Sequence, residues 1–392
     1  MTEPASSCTA AAFTPVERVL SIGAVVVSSF GVGISYGIGY PLTSLTFEAW
    51  GAPAWLTGLA GSMPALAIFL LLPVFPRLVG RLGAVPAMTL GCFVVAAGFL
   101  LMKLLPGIGP WIALRFFMGA GLALPWLVGE TWINTVTSDA ARGRMIALYS
   151  IALFSGFAVG PLVLEAVGTT GWPPFLVGAI GVALAAVPII AAARLAPPLP
   201  AHPETGILGV VRRVPAAMAG AFLGGLLEMS HFSLLPNYLL AGGAETDLAL
   251  RSLTLLMIGG IVLQFPIGWL ADRLPRRTLL VGLCLAFAVC ALALPAAATP
   301  GWFGFAVVFL CGGLLIGFYT VGLAILGERT PPQDLAVANA AFLILYQAGA
   351  MIGPTAAGGA LTLWMPHGFI VAVVAAALAG AVLSAVAARR AG

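Results

Sequence analysis

Charge is scarce in this chain. Only 8% of its 392 residues are Asp, Glu, Lys or Arg, against about 25% in a soluble domain. Too little polar side chain exists to cover a globule of this size, so lipid is the expected solvent for most of the surface. Lysine is nearly absent: Lys103 stands alone beside 16 arginines. The net charge of +4 is too small for a nucleic-acid footprint. The cysteines Cys8, Cys92, Cys284, Cys290 and Cys311 have no spacing suited to a metal or a disulfide framework. They read as small apolar packing residues. No phosphate loop, metal-ligand cluster or nucleophile with a base is present, so neither an enzyme nor a cofactor is expected.

What the chain has instead is apolar length. It is 61% hydrophobic, with a mean hydropathy of +1.10. Forty-nine glycines and 29 prolines fall largely within the apolar runs, where small residues permit close helix approach and proline is tolerated. Twelve runs are long enough to span a bilayer, at about 20 residues each. They cover 18–43, 52–73, 84–105, 111–133, 145–167, 172–193, 214–240, 250–271, 277–297, 301–327, 335–362 and 368–388. The first reads as a spanning helix rather than a cleaved signal. With the N-terminus inside, the inner loops and ends take 14 of the 17 basic residues; Lys103 and Arg251 fall outside and Arg115 within a span. The positive-inside rule therefore places both termini in the cytoplasm.

The longest polar break, 194–213, is proline-rich and reads as a semi-extended cytoplasmic linker. It separates two six-helix bundles, 1–193 and 214–392. The bundles repeat: Gly119 and Gly160 are 41 positions apart, as are Gly312 and Gly353. Each interval ends in Gly-x-x-x-Gly-Pro, at Gly156–Pro161 and Gly349–Pro354. Pro161 and Pro354 each remove a helical hydrogen bond and are expected to kink their helices beside Gly160 and Gly353. Parallel repeats of this kind build a central site between bundles in many transporters.

Over its whole length the chain resembles the major facilitator superfamily. Gly268-x-x-x-Asp272-Arg273-x-x-Arg276-Arg277 is similar to the superfamily's loop motif. The first-half copy, Pro76 to Gly83, has Arg81 but carries Gly80 where the acid is expected. Arg115-x-x-x-Gly119-x-Gly121-x-Ala123 resembles the fourth-helix motif of proton-linked members, and the Gly-x-x-x-Gly-Pro pair resembles the motif of antiporters. Arg115 to Glu130, Arg142-Gly143-Arg144 and Leu335 to Asn339 look like the bacterial YcaD-like branch. The resemblance implies an all-α integral membrane protein of twelve helices in two pseudo-symmetric bundles, a permease of the bacterial cytoplasmic membrane, sufficient as a monomer. Without an ATP-binding fold, uphill transport must draw on an ion gradient.

Glu228 falls about 21 Å into the seventh span at about 1.5 Å per residue, beyond the middle of the core. An ionisable group at that depth is a functional hypothesis by default. His231 follows at i+3 on the same face, so the two are read as a proton or substrate site, with a packing pair as the bland alternative. Tyr238 extends the stripe. Arg115 cannot release a proton but can bind an anion or bias a carboxyl; the bland reading has it snorkel to headgroups. Trp126 shares its helix face. Glu130 reads as a second protonation site or as a latch to Arg77, Arg81 or Arg144. Further polar candidates for the cavity are Tyr36, Tyr40, Asn237, Gln264, Asn339, Tyr346 and Gln347. Glu48 and Glu165 sit near outer ends and read as solvated. At the cytoplasmic face, Glu328 is expected to meet Arg273 or Arg276. With Asp272 and Arg81 these form a candidate gate, in which exposed pairs worth about 0–1 kcal/mol each act only as a network.

Together these readings favour a secondary transporter of small organic molecules working by alternating access, with proton-coupled efflux first. Proton symport of a sugar or organic acid is the alternative. A non-transporting sensor or assembly partner is disfavoured because no further domain is visible.

Overall fold

The computed structural model describes residues 13–197, 214–331 and 334–389. Cys8, Arg212, Arg213, Arg390 and positions 198–213 of the expected linker lie outside these ranges. Among the described residues the structure is all-helical. In chain order the α-helices are α1 (Pro15–Ala49), α2 (Ala54–Leu71), α3 (Phe75–Leu82), α4 (Ala84–Leu104), α5 (Ile108–Val136), α6 (Asp139–Val167), α7 (Pro173–Ala191), α8 (Pro215–Ala241), α9 (Thr246–Arg273), α10 (Arg276–Leu292), α11 (Trp302–Arg329), α12 (Leu335–Leu363) and α13 (His367–Arg389).

Eleven of these helices are long and apolar enough to cross a membrane. The expected span 277–297 is the exception. It is a 17-residue helix, α10, followed by a 3-10 turn over Leu294–Ala298. Pro295 inside that stretch cannot donate the next helical hydrogen bond. The loop around 74–83 holds an element the hydropathy pattern missed, the eight-residue α3. Its Phe75 is buried, while Arg77 and Arg81 occupy one face at i,i+4. Gly83, at φ 86, ends α3 and turns the chain directly into α4. α9 stops at Arg273 because Leu274 precedes Pro275 and adopts an extended backbone.

The chain divides into two compact units: Met1–Gly39, Leu70–Gly160 and Thr170–His202 in one, Tyr40–Phe69, Pro161–Thr169 and Pro203–Gly392 in the other. The division passes through α1 between Gly39 and Tyr40, and through α6 between Gly160 and Pro161.

In the first unit, Val25, Met88, Trp132, Ile133 and Tyr149 share one buried cluster. Trp132 is fully buried, and its Nε1–H donates to Ser21 Oγ at 2.8 Å. Ser21 in turn donates to the Leu195 carbonyl at 3.1 Å. α6 lies against α1 through glycine: a methyl group on Gly160 would stand 2.7 Å from the Ile38 nitrogen. The second unit repeats the device. A methyl group on Gly353 of α12 would stand 2.8 Å from Leu226 Cα on α8. Gly-x-x-x-Gly-Pro therefore seats one helix backbone on another in both units. Pro161 and Pro354 lie inside continuous helices. The Phe157 carbonyl, which Pro161 deprives of its donor, faces Gly37. Cys290 of α10 and Cys311 of α11, remote in sequence, bring their sulfurs to 3.0 Å as free thiols.

Candidate functional site

In the second unit the polar centre is Glu228 on α8, only 4% exposed. Its Oε2 accepts a 2.8 Å hydrogen bond from the Tyr346 hydroxyl of α12. No cationic side chain among the described residues pairs with it. Rings gather around it. Tyr319 of α11 stands perpendicular to Tyr346, centroids 5.5 Å apart. Phe232 follows Glu228 by one helical turn and faces Tyr40 of α1 at 6.3 Å. The Tyr40 hydroxyl reaches Met229 Sδ at 3.6 Å. Gly224, one turn before Glu228, is buried against α11 and α12: a methyl group there would meet Phe318 Cβ and the Tyr319 nitrogen at 3.5 Å and Tyr346 Cδ2 at 3.8 Å.

The expected Glu228–His231 pair is not assembled. His231 Nδ1 lies 2.7 Å from the Leu227 carbonyl, and the ring packs edge-on against Phe287 and Phe369. A step of three residues leaves the two side chains about 60° apart around the helix. Glu228 turns to α12 while His231 turns to α10 and α13. Tyr238 lies tilted against Phe369, centroids 5.3 Å apart, on the histidine's side.

A second network in this unit ties α8 to α1 and α9 to α6. Asn237 of α8 accepts from Ser44 and donates to Glu48, both on α1. Ser62 of α2 and Thr355 of α12 are 2.9 Å apart. Glu165 receives Arg251 through both Nε at 3.0 Å and Nη2 at 2.6 Å. The reading of Glu48 and Glu165 as merely solvated is corrected by these partners. α1 runs to Ala49, past the expected end at 43, and carries Glu48 onto α8.

In the first unit Arg115 is buried, 1% exposed, and does not snorkel. It fits because Gly39 has no side chain: a methyl group there would stand 2.8 Å from Nη1. Glu130 is half-buried. It forms no ion pair with Arg77, Arg81 or Arg144; its electrostatic neighbour is Tyr149, which Tyr36 also approaches. The Tyr149 hydroxyl donates to the Trp126 carbonyl at 3.1 Å. Of the remaining candidates, Gln347 is buried, Gln264 half-buried and Asn339 exposed.

At the arginine-rich end of the second unit, Arg276 is the hub. It donates to the Ala271 and Ala324 carbonyls at 3.1 and 2.9 Å. It meets Glu328 at 3.3 Å and, more loosely, Asp272 at 3.9 Å. Arg273 instead lies 3.7 Å over the Trp269 ring. Arg81 is exposed on α3 in the other unit.

Sequence reasoning missed Tyr319 and Tyr149. Neither stands in a motif, and single tyrosines in apolar spans give no signal of their neighbours.

Long apolar helices enclosing a buried carboxylate and a buried arginine are the mark of a polytopic membrane transporter. The family model "Major Facilitator Superfamily" matches residues 25–250 and 218–391, and the chain belongs to that superfamily. It is 28% identical over 334 residues to the uncharacterized MFS-type transporter YfkF of Bacillus subtilis, covering 83% of this chain and 85% of that one. It is 29% identical to the uncharacterized MFS-type transporter YcaD of Escherichia coli over 70% of this chain and 72% of the relative. Among solved structures, a bacterial homolog to human lysosomal transporter Spinster, inward-facing and occupied, superimposes with a TM-score of 0.79 at 14% identity, over 96% and 98% of the two chains. The nucleoside transporter NupG gives 0.74 at 13% identity, over 93% and 97%. The protein is thus a multi-pass secondary transporter of small molecules, and not an enzyme.

Proposed function

We propose that the protein is a proton-coupled exporter of a small organic molecule. It would work as an antiporter by alternating access of bundles 1–193 and 214–392 about the 194–213 linker. It would act as a monomer in the inner membrane of a bacterium, with both termini cytoplasmic. The observation that carries this reading is Glu228, a carboxylate almost wholly buried with one neutral phenol as partner. A buried anion without a countercharge is costly, so its occupancy by a proton is a natural point of coupling. Glu130 beside Tyr149 is the corresponding acid of the first unit. Arg276 with Glu328, Asp272 and Arg273 is the cytoplasmic gate. The alternative, symport of a sugar or organic acid, is favoured by Arg115, a buried cation suited to an anionic cargo.

Inverted membrane vesicles with an acidified lumen separate the two. Chloramphenicol, fusidate and ethidium represent neutral, anionic and cationic cargo. External addition of at least one should discharge the proton gradient, and Glu228→Gln should abolish this. Discharge only when cargo is preloaded in the lumen marks symport. A Glu228→Gln protein exchanging cargo with unchanged pH dependence removes Glu228 from coupling.

A further inference from the structure

A pair of thiols lies apart from the polar centre of the second unit. Cys290 of α10 and Cys311 of α11 are 21 positions apart in sequence, and their sulfurs are 3.0 Å apart. Both are free. Cys311 donates its thiol hydrogen to the Cys290 sulfur, and Cys290 donates to the Val307 carbonyl at 3.3 Å. Packing fixes the two helices on either side of the pair. On one side Phe287 meets Phe318 edge-on, centroids 5.9 Å apart. On the other, Gly304 lets the first turn of α11 sit on the 3-10 stretch that follows α10. A methyl group at Gly304 would stand 2.8 Å from Ala297 Cα. A disulfide holds its sulfurs about 2.0 Å apart, so a closure of about 1 Å would join these two. Zinc is a poor fit. It asks for about four ligands, and the described residues hold no group of three that could bind a metal. Cys92 and Cys284 are buried too, but neither hydrogen-bonds another thiol among the described residues.

The pair is unequal in exposure. Cys311 is fully buried, whereas Cys290 is half-buried and two residues from the end of α10 at Leu292. The turn beyond, Thr299 to Gly301, is exposed. A small oxidant therefore meets Cys290 first. We infer that Cys290 and Cys311 are a peroxide-driven, reversible staple between α10 and α11. The inference is independent of cargo and of proton coupling. The Cys290 thiolate attacks one oxygen of a hydroperoxide, and the O–O bond breaks. Cys290 becomes a sulfenic acid, and the departing oxygen takes up the proton that the thiol released. The Cys311 sulfur then attacks the Cys290 sulfur. The S–O bond breaks, and hydroxide leaves with the Cys311 proton as water. Two thiols lose two electrons and two protons, and one hydrogen peroxide becomes two waters. In the topology proposed above this end of α10, opposite Arg276, faces the periplasm, away from the cytosolic thiols that reverse such bonds. The closed loop restricts the unfolded chain, so the oxidised protein is the more stable form.

The test uses the purified full chain in nanodiscs, fully reduced and then treated with hydrogen peroxide. Maleimide labelling after denaturation should count three thiols in place of the five in the sequence. Peptide mass analysis should find Cys290 joined to Cys311, and dithiothreitol should restore both thiols. The unfolding midpoint should rise by about 5 °C on oxidation and return on reduction. Cys311→Ser should stop the reaction at the sulfenic acid, captured by dimedone on Cys290. Cys290→Ser should leave Cys311 unlabelled by dimedone. Wild-type protein alone supplies the thiol count, the cross-link and the midpoint, so a variant that fails to fold does not shelter the inference. Five thiols remaining after peroxide overturn it, as does a bond from Cys290 to any other cysteine. Dimedone capture at Cys311 in place of Cys290 overturns the order of attack, and a midpoint that stays or falls on oxidation overturns the staple.

Discussion

Gly353 offers a worked test of what the repeated Gly-x-x-x-Gly-Pro element does. In Gly353→Ala the new methyl group stands 2.8 Å from both Cα and the carbonyl carbon of Leu226. Carbon atoms pack at about 3.5–4.0 Å. The contact is with backbone, which no rotamer change can move, so α12 and α8 must part by about 1 Å. Overpacking of this kind costs about 1–3 kcal/mol. Replacing a helical glycine by alanine returns about 1 kcal/mol of helix propensity. Gly359, six residues along the same helix, has nothing within 4 Å of its would-be methyl group. Gly359→Ala therefore collects the propensity gain alone. The two variants should differ by roughly 2 kcal/mol, with Gly353→Ala the less stable. Thermal unfolding of both in the same detergent measures the difference. Gly160→Ala, blocked by Ile38 N at 2.7 Å, should resemble Gly353→Ala. Equal melting of Gly353→Ala and Gly359→Ala would refute close backbone seating as the element's role.

Two further outcomes follow from named contacts. Ser21→Ala strips a buried acceptor from the Trp132 indole and should destabilise the protein by about 1–3 kcal/mol, read by the same unfolding assay; Ser28→Ala, at a buried hydroxyl with no hydrogen-bond partner, should cost less. At the arginine-rich end, Arg276→Ala should impair transport in the vesicle assay more than Asp272→Asn. Arg276 holds two carbonyls and Glu328, whereas Asp272 is 79% exposed and only 3.9 Å from Arg276.

The helical content was plain in the sequence because lipid demands long apolar runs whose backbone groups are satisfied internally. The repeat was equally visible, since a glycine needed for backbone contact admits no substitute at that place. Depth along a helix could be counted, which is why Glu228 stood out. Direction around the helix could not. His231 shares a broad face with Glu228, and only the positions of α10, α12 and α13 decide that the two side chains diverge. Glu48 and Glu165 escaped for a different reason. Their partners, Asn237 and Arg251, are 189 and 86 residues away, and a carboxylate near a helix end looks the same whether it meets water or an amide. α10 ends at Leu292, short of the expected 297, because hydropathy measures apolar length and does not register Pro295, which turns the rest of the span into a 3-10 stretch.

α1 has a mechanical consequence. It is one unbroken helix of 35 residues, yet the boundary between the two compact units crosses it at Gly39 and Tyr40. Around that boundary, Gly37 and Gly39 have no side chains, and Pro41 takes the helical donor from the Gly37 carbonyl. A helix anchored in both units acts as a strut, and flexure of a strut concentrates where its own hydrogen-bond ladder is interrupted. Pro41 makes that interruption, at the Gly37 carbonyl. Arg115 rests against Gly39 there, so the buried cation of the first unit would register any bending of α1 directly.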